Sequence, residues 1–216
     1  MIHILGKNSS LLKHYIAEVR DVEIQKDSLR FRRNMERLGE IFAYEISKTL
    51  QWKSREVITS LGTAQCEVLA QQPVIATILR AGLPMHQGIL NFFDQAENAF
   101  VSAYRKHHKN GRFFIQIEYT SCPNLDEKFL IISDPMLATG ASMVLAYKEL
   151  LQRGKPIHTH FVSVLASVQG IEYMKKNLPA DSYSLWLGEV DDELTAKAYI
   201  VPGLGDAGDL AFGNKL

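Results

Sequence analysis

Residues 129–142 read F-L-I-I-S-D-P-M-L-A-T-G-A-S, and this stretch decides the fold class. An apolar, β-rich run ends at an acid, Asp134, a loop of small residues follows, and a helical pattern begins near Ala141. The pattern predicts a strand, a turn and a helix N-terminus in succession. Free N–H groups at a helix start suit a phosphate, and a carboxylate beside them can accept hydrogen bonds from sugar hydroxyls. The stretch therefore offers complementary groups for a phosphorylated sugar.

The loop matches neither of two common phosphate motifs. It has no Gly-Lys-Ser/Thr as in a P-loop, and Gly140 is a single glycine where the dinucleotide fingerprint needs three. The alternative is an ordinary strand-to-helix turn, with Asp134 as a turn former and Thr139 or Ser142 as a helix cap. Taken alone, the segment leaves both interpretations open.

Strands and helices alternate along the rest of the chain. Apolar runs predict strands at 74–79, 99–104, 113–119, 129–133, 160–166 and 183–187. Helical spacing predicts helices at 84–93, 141–153 and 169–177. The alternation predicts an α/β fold, an open, mostly parallel twisted sheet with helices on both faces.

Two excursions from this sheet are expected within a single domain over residues 1–216. One is a β-hairpin at about 99–120, where Asn110-Gly111 is a strong turn signal, and it should project above the sheet. The other is a C-terminal segment at about 188–216. The alternative for that segment is a coiled arm packed over the core.

Composition narrows the class of protein. The 216 residues are 46% hydrophobic and 22% charged, typical of a soluble globule, and Lys+Arg and Asp+Glu balance at 24 each. No global charge draws the chain to nucleic acid or an anionic membrane, so neither is an expected partner. Cys66 and Cys122 have no pairing or metal spacing. Without a visible signal peptide or membrane span, the expected location is cytoplasmic.

A long helix is predicted from Asp27 or Ser28 to about Leu50, with apolar positions at helical spacing. Its first half carries a cluster of arginines, Arg30, Arg32, Arg33 and Arg37. Such a cluster is usually a solvated face, and the alternative is a site for a phosphate-bearing effector or partner.

Three segments are expected to meet, because ligands of open α/β sheets bind beyond the carboxyl ends of the strands. Arg80-Ala81-Gly82 follows the apolar run 74–79, and its arginine offers a cationic fork for phosphate oxygens. The loop 134–142 is the second. The third, 199–209, holds three glycines, a proline and two aspartates, and its exposed backbone can pair with the edge of a flat heterocycle.

The three segments together resemble the uracil phosphoribosyltransferases, a branch of the type I phosphoribosyltransferases. The stretches that carry the resemblance are I-L-R-A-G-L at 78–83, D-P-M-L-A-T-G at 134–140 and Y-I-V-P-G-L-G-D-A-G-D at 199–209. The last of these marks the uracil branch. The resemblance implies transfer of ribose-5-phosphate from 5-phosphoribosyl-1-diphosphate to uracil N1, giving UMP and diphosphate. It also implies Mg²⁺ held through the substrate rather than by a dedicated metal site.

The resemblance also assigns residues to roles. Binding of the phosphoribosyl donor falls to Arg80, Ala81, Gly82, Arg105, Asp134, Pro135, Met136, Leu137, Ala138, Thr139, Gly140, Ala141, Ser142 and Asp206. Binding of uracil falls to Ile200, Gly205, Asp206 and Ala207. Asp134 and Arg105 are the implied catalytic residues. A homodimer or higher oligomer is implied as well, with the apolar faces of the N-terminal helix as an interface, and so is a nucleotide effector such as GTP.

Some positions depart from the family pattern. Ala141 stands where a second glycine is usual, Leu210 where an arginine is common, and residues 105–122 differ from the usual hairpin. Two alternatives therefore stay open. One is a phosphoribosyltransferase for another nucleobase, and the other is a non-enzymatic regulator that binds nucleotides or RNA on the same fold.

Overall fold

The computed structural model describes residues 1–107 and 113–214, and for 104–107 and 113–116 it describes the backbone alone. The strands are β1 (Ile2–Ile4), β2 (Trp52–Thr59), β3 (Gly62–Leu69), β4 (Val74–Leu79), β5 (Glu97–His107), β6 (Phe113–Ser121), β7 (Phe129–Ser133), β8 (Met136–Leu137), β9 (His158–Ser167), β10 (Tyr183–Asp191), β11 (Glu193–Leu194) and β12 (Ile200–Val201). The helices are α1 (Leu11–Arg20), α2 (Ser28–Ser47), α3 (Leu83–Phe92), α4 (Ala141–Leu150), α5 (Val168–Asn177) and α6 (Ala207–Phe212).

The central sheet has the order β1-β10-β9-β7-β4-β5-β6, with β8 also paired to β9. Every pair in it is parallel except β5 with β6. Side chains of β7 alternate between two apolar clusters: Ile131 packs with α1, α2 and α3, whereas Leu130 and Ile132 pack with α4 and α5. Helices thus cover both faces, which explains why the strands read as continuous apolar runs. The predicted fold class is confirmed.

The long helix α2 begins where the sequence predicted. The Asp27 side chain accepts hydrogen bonds from the N–H groups of Leu29 and Arg30 at 2.9 and 3.1 Å, which satisfies two otherwise unpaired donors. The apolar stripe of α2 is fully buried within the chain. The expectation that this stripe supplies an interface between subunits is therefore wrong, because the stripe packs against α1, α3 and the sheet.

The hairpin β5–β6 has its base in the sheet. Strand β5 pairs with β4 as far as Ser102 opposite Leu79, and its register with β6 shifts between Ser102 and Ala103. Beyond that point β5 and β6 pair with each other, so the outer part of the hairpin extends past the end of β4. The predicted Asn110-Gly111 turn lies outside the described residues.

The strands β2 and β3 form a separate two-stranded sheet that the sequence did not predict. Most of their side chains are exposed, including Ile58 at 88%, and Leu61 in the turn between them is 98% exposed. In the described part of the chain this ribbon pairs with no other strand. No helix there is long and apolar enough to cross a bilayer.

Candidate active site

A cavity of about 1000 Å³ opens at the carboxyl ends of β4 and β7. All three segments singled out by the sequence contribute to its wall. The lining residues from them are Arg80, Ala81, Asp134, Met136, Leu137, Ala138, Thr139, Gly140, Ser142, Tyr199, Ile200, Gly205, Asp206, Ala207 and Gly208. The predicted convergence of these three segments, which are distant in sequence, is therefore a property of the fold.

The loop 134–142 packs against the N-terminal end of α5. Ser167 Oγ donates to the carbonyl oxygen of Ala138 at 2.5 Å, and a Cβ on Gly170 would lie 2.5 Å from the same oxygen. Because this carbonyl accepts from Ser167, the last residue of β9 and the N-cap of α5, it is not presented to an anion in the cavity. Gly140 has a φ of 77° and caps α4, whose first turn then begins at the cavity wall. The arrangement suits a phosphate at a helix N-terminus.

The turn roles considered for this loop are also present. Asp134 Oδ1 accepts from the N–H of Met136 at 3.3 Å, and Thr139 Oγ1 accepts from the N–H of Ala141 at 3.4 Å. Ser142 lies inside the first turn of α4 and does not cap it. Asp134 is consequently both a turn former and a carboxylate on the cavity wall, so the two interpretations of the sequence coexist.

Arg80 lines the cavity and also makes hydrogen bonds to residues of the C-terminal segment. Its Nη2 atom donates to Asp209 Oδ1 at 2.9 Å and to the carbonyl of Gly213 at 3.2 Å. Gly82 plays a different part, because a Cβ there would lie 2.1 Å from Thr77 Oγ1. The absence of a side chain at Gly82 is thus required for the packing of α3 on β4.

The C-terminal segment folds back over the sheet rather than extending as a coil. Ile200, in β12, is 3% exposed and packs in the apolar core, and its backbone pairs with Leu194. Gly205 is exposed, with a φ of 96°. Asp206 caps α6 by accepting from the N–H groups of Gly208 and Asp209 at 2.9 and 3.0 Å. The segment therefore presents backbone groups from ordered turns.

A model of the family described as uracil phosphoribosyltransferase matches residues 6–214. The chain belongs to the uracil phosphoribosyltransferase family. As a member it is an enzyme of the pentosyltransferase class.

Individual relatives agree with this family over the length of the chain. The uracil phosphoribosyltransferase of Porphyromonas gingivalis is 55% identical over 216 residues, covering 100% of this chain and 99% of the relative. That of Methanothermobacter thermautotrophicus is 38% identical over 189 residues, covering 87% and 85%. The solved structure of the AQ2163 protein from Aquifex aeolicus is 30% identical, covers 99% of this chain and 98% of its own, and superposes with a TM-score of 0.86.

The departures from the uracil phosphoribosyltransferase pattern have local explanations. Ala141 is the first residue of α4, a helical position that any L-residue can adopt. Leu210, on α6, is partly buried against the apolar cluster that contains α2. Neither residue is among those that line the cavity.

Not every residue assigned from the sequence lies on the wall. Within the described residues, Gly82, Pro135 and Ala141 are set behind it, and the carbonyl of Pro135 accepts the N–H groups of Val164 and Leu165. The side chain of Arg105 is outside the described residues, so its role stays a prediction.

The cavity also includes residues that sequence reasoning missed. These are Ile78, Leu79, Ser102, Ala103, Met143, Ala196, Lys197 and Ala198. Their only available signal was adjacency. The residues at 196–198 directly precede the C-terminal segment, and Ser102 and Ala103 flank the register shift that no local pattern announces.

Proposed function

We propose that this cavity transfers ribose-5-phosphate from 5-phosphoribosyl-1-diphosphate to N1 of uracil, giving UMP and diphosphate. The observation that carries the proposal is the shared cavity of the loop 134–142 and the segment 199–209. A phosphorylated sugar and a planar pyrimidine can then lie side by side. The family membership supports the same reaction.

Each wall has a distinct role in this proposal. The N–H groups from Ala138 to Ser142 hold the 5-phosphate, and Asp134 accepts hydrogen bonds from the ribose hydroxyls. Arg80 and Arg105 contact the diphosphate, and Asp206 faces the donor. The carbonyl of Ala138 being bound by Ser167 supports the first assignment, because it removes a repulsive dipole from the phosphate site.

The chemistry is one of positioning and charge. As the bond between C1 and the diphosphate breaks, the ribose gains oxocarbenium character and the leaving group gains negative charge, which a guanidinium at Arg80 offsets. Uracil N1 forms the new bond to C1, the electron pair of the broken bond leaves with the diphosphate, and the N1 proton passes to the departing diphosphate or to water. Mg²⁺ would be held mainly through oxygens of the donor, since the wall offers the carboxylates of Asp134 and Asp206 but the described residues contain no cluster of three or more metal-ligating side chains. When bound with the donor, it would neutralise charge on the diphosphate.

Base selection follows from backbone groups at Ile200, Gly205 and Ala207. Cytosine exchanges donor and acceptor at two edge positions, and each mismatched buried group costs about 1–3 kcal/mol. A rigid backbone pocket is therefore sufficient to reject it.

The test is a base panel. Purified protein incubated with Mg²⁺, the donor and uracil should yield UMP and diphosphate, with cytosine, orotate and purines turned over at least about 100-fold more slowly. A folded sample that prefers orotate or a purine would contradict the base assignment. A folded sample that is silent with every base but retains RNA in a salt-sensitive way would favour the regulator instead.

The arginines of α2 give little support to a nucleotide effector such as GTP. Arg30 bonds Glu18, Arg33 bonds Glu36, and Arg37 bonds Asn34. Arg32 donates to the carbonyl of Ala211 at 2.7 Å. The four arginines are therefore engaged in hydrogen bonds within the chain, which does not favour an anion site.

The proposal includes a single catalytic domain and a cytoplasmic location. The hairpin β5–β6 and the C-terminal segment both pack on the central sheet or its helices, which supports one domain. Cys66 and Cys122 are free thiols, as is usual in a reducing compartment.

A homodimer or higher oligomer is also part of the proposal, with the ribbon β2–β3 bound to a second copy of the chain. An isolated two-stranded ribbon is marginally stable in water, so we expect the exposed side chains of Ile58 and Leu61 to pack against a second copy.

We expect the double variant Ile58→Lys/Leu61→Lys to lower the mass measured by light scattering toward that of one chain. The control is Leu11→Lys, which places the same charge at a residue that is 65% exposed on α1. A monomeric parent, or an unchanged mass in the double variant, would contradict the assignment.

A further inference from the structure

Arg20 is the last residue of α1 and binds three residues outside that helix. Its Nη1 atom donates to Asp191 Oδ2 at 2.8 Å and to the carbonyl of Gly203 at 2.9 Å. Its Nη2 atom donates to Asp191 Oδ1 at 2.8 Å and to Glu189 at 3.0 Å. The guanidinium therefore joins α1, the end of β10 and the C-terminal segment.

Gly203 is held from both sides. Its carbonyl accepts from Arg20, and its N–H donates to Asp191 Oδ2 at 3.0 Å. It has a φ of 57°, and a Cβ there would lie 2.1 Å from the carbonyl of Ile200. The chain between residues 200 and 203 is thus a tight turn whose end is fixed by charged side chains.

The fixed residue lies between two stretches of the cavity wall. Ile200 precedes Gly203 by three positions, Gly205 follows it by two, and both line the cavity. In so short a chain, a shift of Gly203 moves both lining stretches. Arg20 and Asp191 are not among the residues that line this cavity, so any effect of theirs on its shape acts through the turn.

Burial strengthens these contacts. The side chains of Arg20 and Asp191 are 19% and 7% exposed. Burial by itself raises the pKa of Asp191, but the hydrogen bonds from Arg20 and from the N–H of Gly203 outweigh it and keep that pKa below its usual value. Asp191 is therefore ionised at neutral pH and remains paired.

We propose that Arg20 and Asp191 are positioning residues for the uracil pocket. They hold the turn 200–203, and with it Gly205, in the conformation that binds the base. The inference rests on the proposed function for the identity of the base. It goes beyond it in assigning base affinity to an ion pair outside the lining of the cavity.

The test separates the two substrates in the variant Arg20→Lys. An ammonium cannot form the bidentate contact with Asp191 and reach Gly203 together, so the turn loses a fixed point. We expect KM for uracil to rise about 10-fold or more and KM for the donor to rise by about 3-fold or less, because the turn carries the uracil-binding residues Ile200 and Gly205, whereas Asp206 is the one assigned donor-binding residue in the segment 199–209. Amide hydrogen exchange should accelerate at 199–209 and stay unchanged in α2. Arg30→Lys is the matched control, since it alters an arginine–carboxylate pair between α1 and α2 away from this turn.

A second variant guards against misfolding. Asp191→Asn keeps the shape of the side chain and should show the same selective rise in KM for uracil. Equal losses for both substrates, or unchanged exchange at 199–209, would overturn the proposal. If the parent protein makes no UMP, the proposed function fails, whereas the exchange measurement still decides whether the ion pair fixes the turn.

Discussion

The variant Asp134→Asn is expected to lower kcat/KM for the donor by roughly 1000-fold while leaving the fold intact. Asp134 lines the cavity at the end of β7, and the proposed function puts the ribose of the donor beside it. Each charge-assisted hydrogen bond to a hydroxyl contributes about 1.5–3 kcal/mol, so losing the charge at two hydroxyls weakens binding in the transition state by several kcal/mol. Steady-state kinetics with both substrates measure the effect.

Asparagine is chosen because it preserves the turn. Its side-chain oxygen can still accept from the N–H of Met136, as Asp134 Oδ1 does at 3.3 Å. The melting temperature should therefore change little. If Asp134→Asn retained more than about a tenth of the parent kcat/KM, that carboxylate would not hold the ribose in the transition state.

The central strands could be predicted because their signal is local. Val74–Leu79 and Phe129–Ser133 have the bounds that their apolar runs indicated, since strands buried on both faces need apolar residues at every position. The helix α4, which follows the loop 134–142, was predicted to reach Arg153. It ends at Leu150 and continues as a 3-10 turn to Arg153 before Gly154, which has a φ of 127°.

The ribbon β2–β3 was not predicted because the sequence of its first strand lacks the alternation of apolar and polar residues that indicates a half-buried strand. Its strands are mostly exposed, so neither face selects apolar residues at alternate positions. The short strand Ile2–Ile4 depends for its existence on pairing with β10, about 180 residues away. Such pairing cannot be read from a local window.

The candidate site could be predicted in its segments but not in its supports. The loop 134–142 and the segment 199–209 were found from small residues and carboxylates. The bonds of Arg20 join positions 169–183 residues apart, and nothing near Arg20 in the sequence indicates them. Gly82 gives a related lesson, because a glycine that lets backbone approach a ligand and one required for helix packing look identical in sequence.

The variant Gly140→Ala is expected to raise KM for the donor about 10- to 100-fold, because it displaces the loop 134–142, to which the proposed function assigns the 5-phosphate. Gly140 has a φ of 77°, a conformation that costs an L-residue about 1–2 kcal/mol. A Cβ there would also lie 2.9 Å from the carbonyl oxygen of Gly170. Since the Cβ has no rotatable bond with which to move away and its neighbour is a backbone oxygen, the backbone itself must shift.

A substitution at the neighbouring position, Ala141→Gly, is the matched control for Gly140→Ala. Ala141→Gly removes a methyl group at the first position of α4, where the backbone is helical and alanine is the better residue by at most about 1 kcal/mol. Its KM for the donor should stay within about 3-fold of the parent value, because the path of the loop does not change. Similar effects of the two variants on KM for the donor would mean that methyl groups, rather than the left-handed turn at Gly140, set the shape of the phosphate site. A rise confined to Gly140→Ala, with KM for uracil little changed, would instead assign the 5-phosphate to the start of α4.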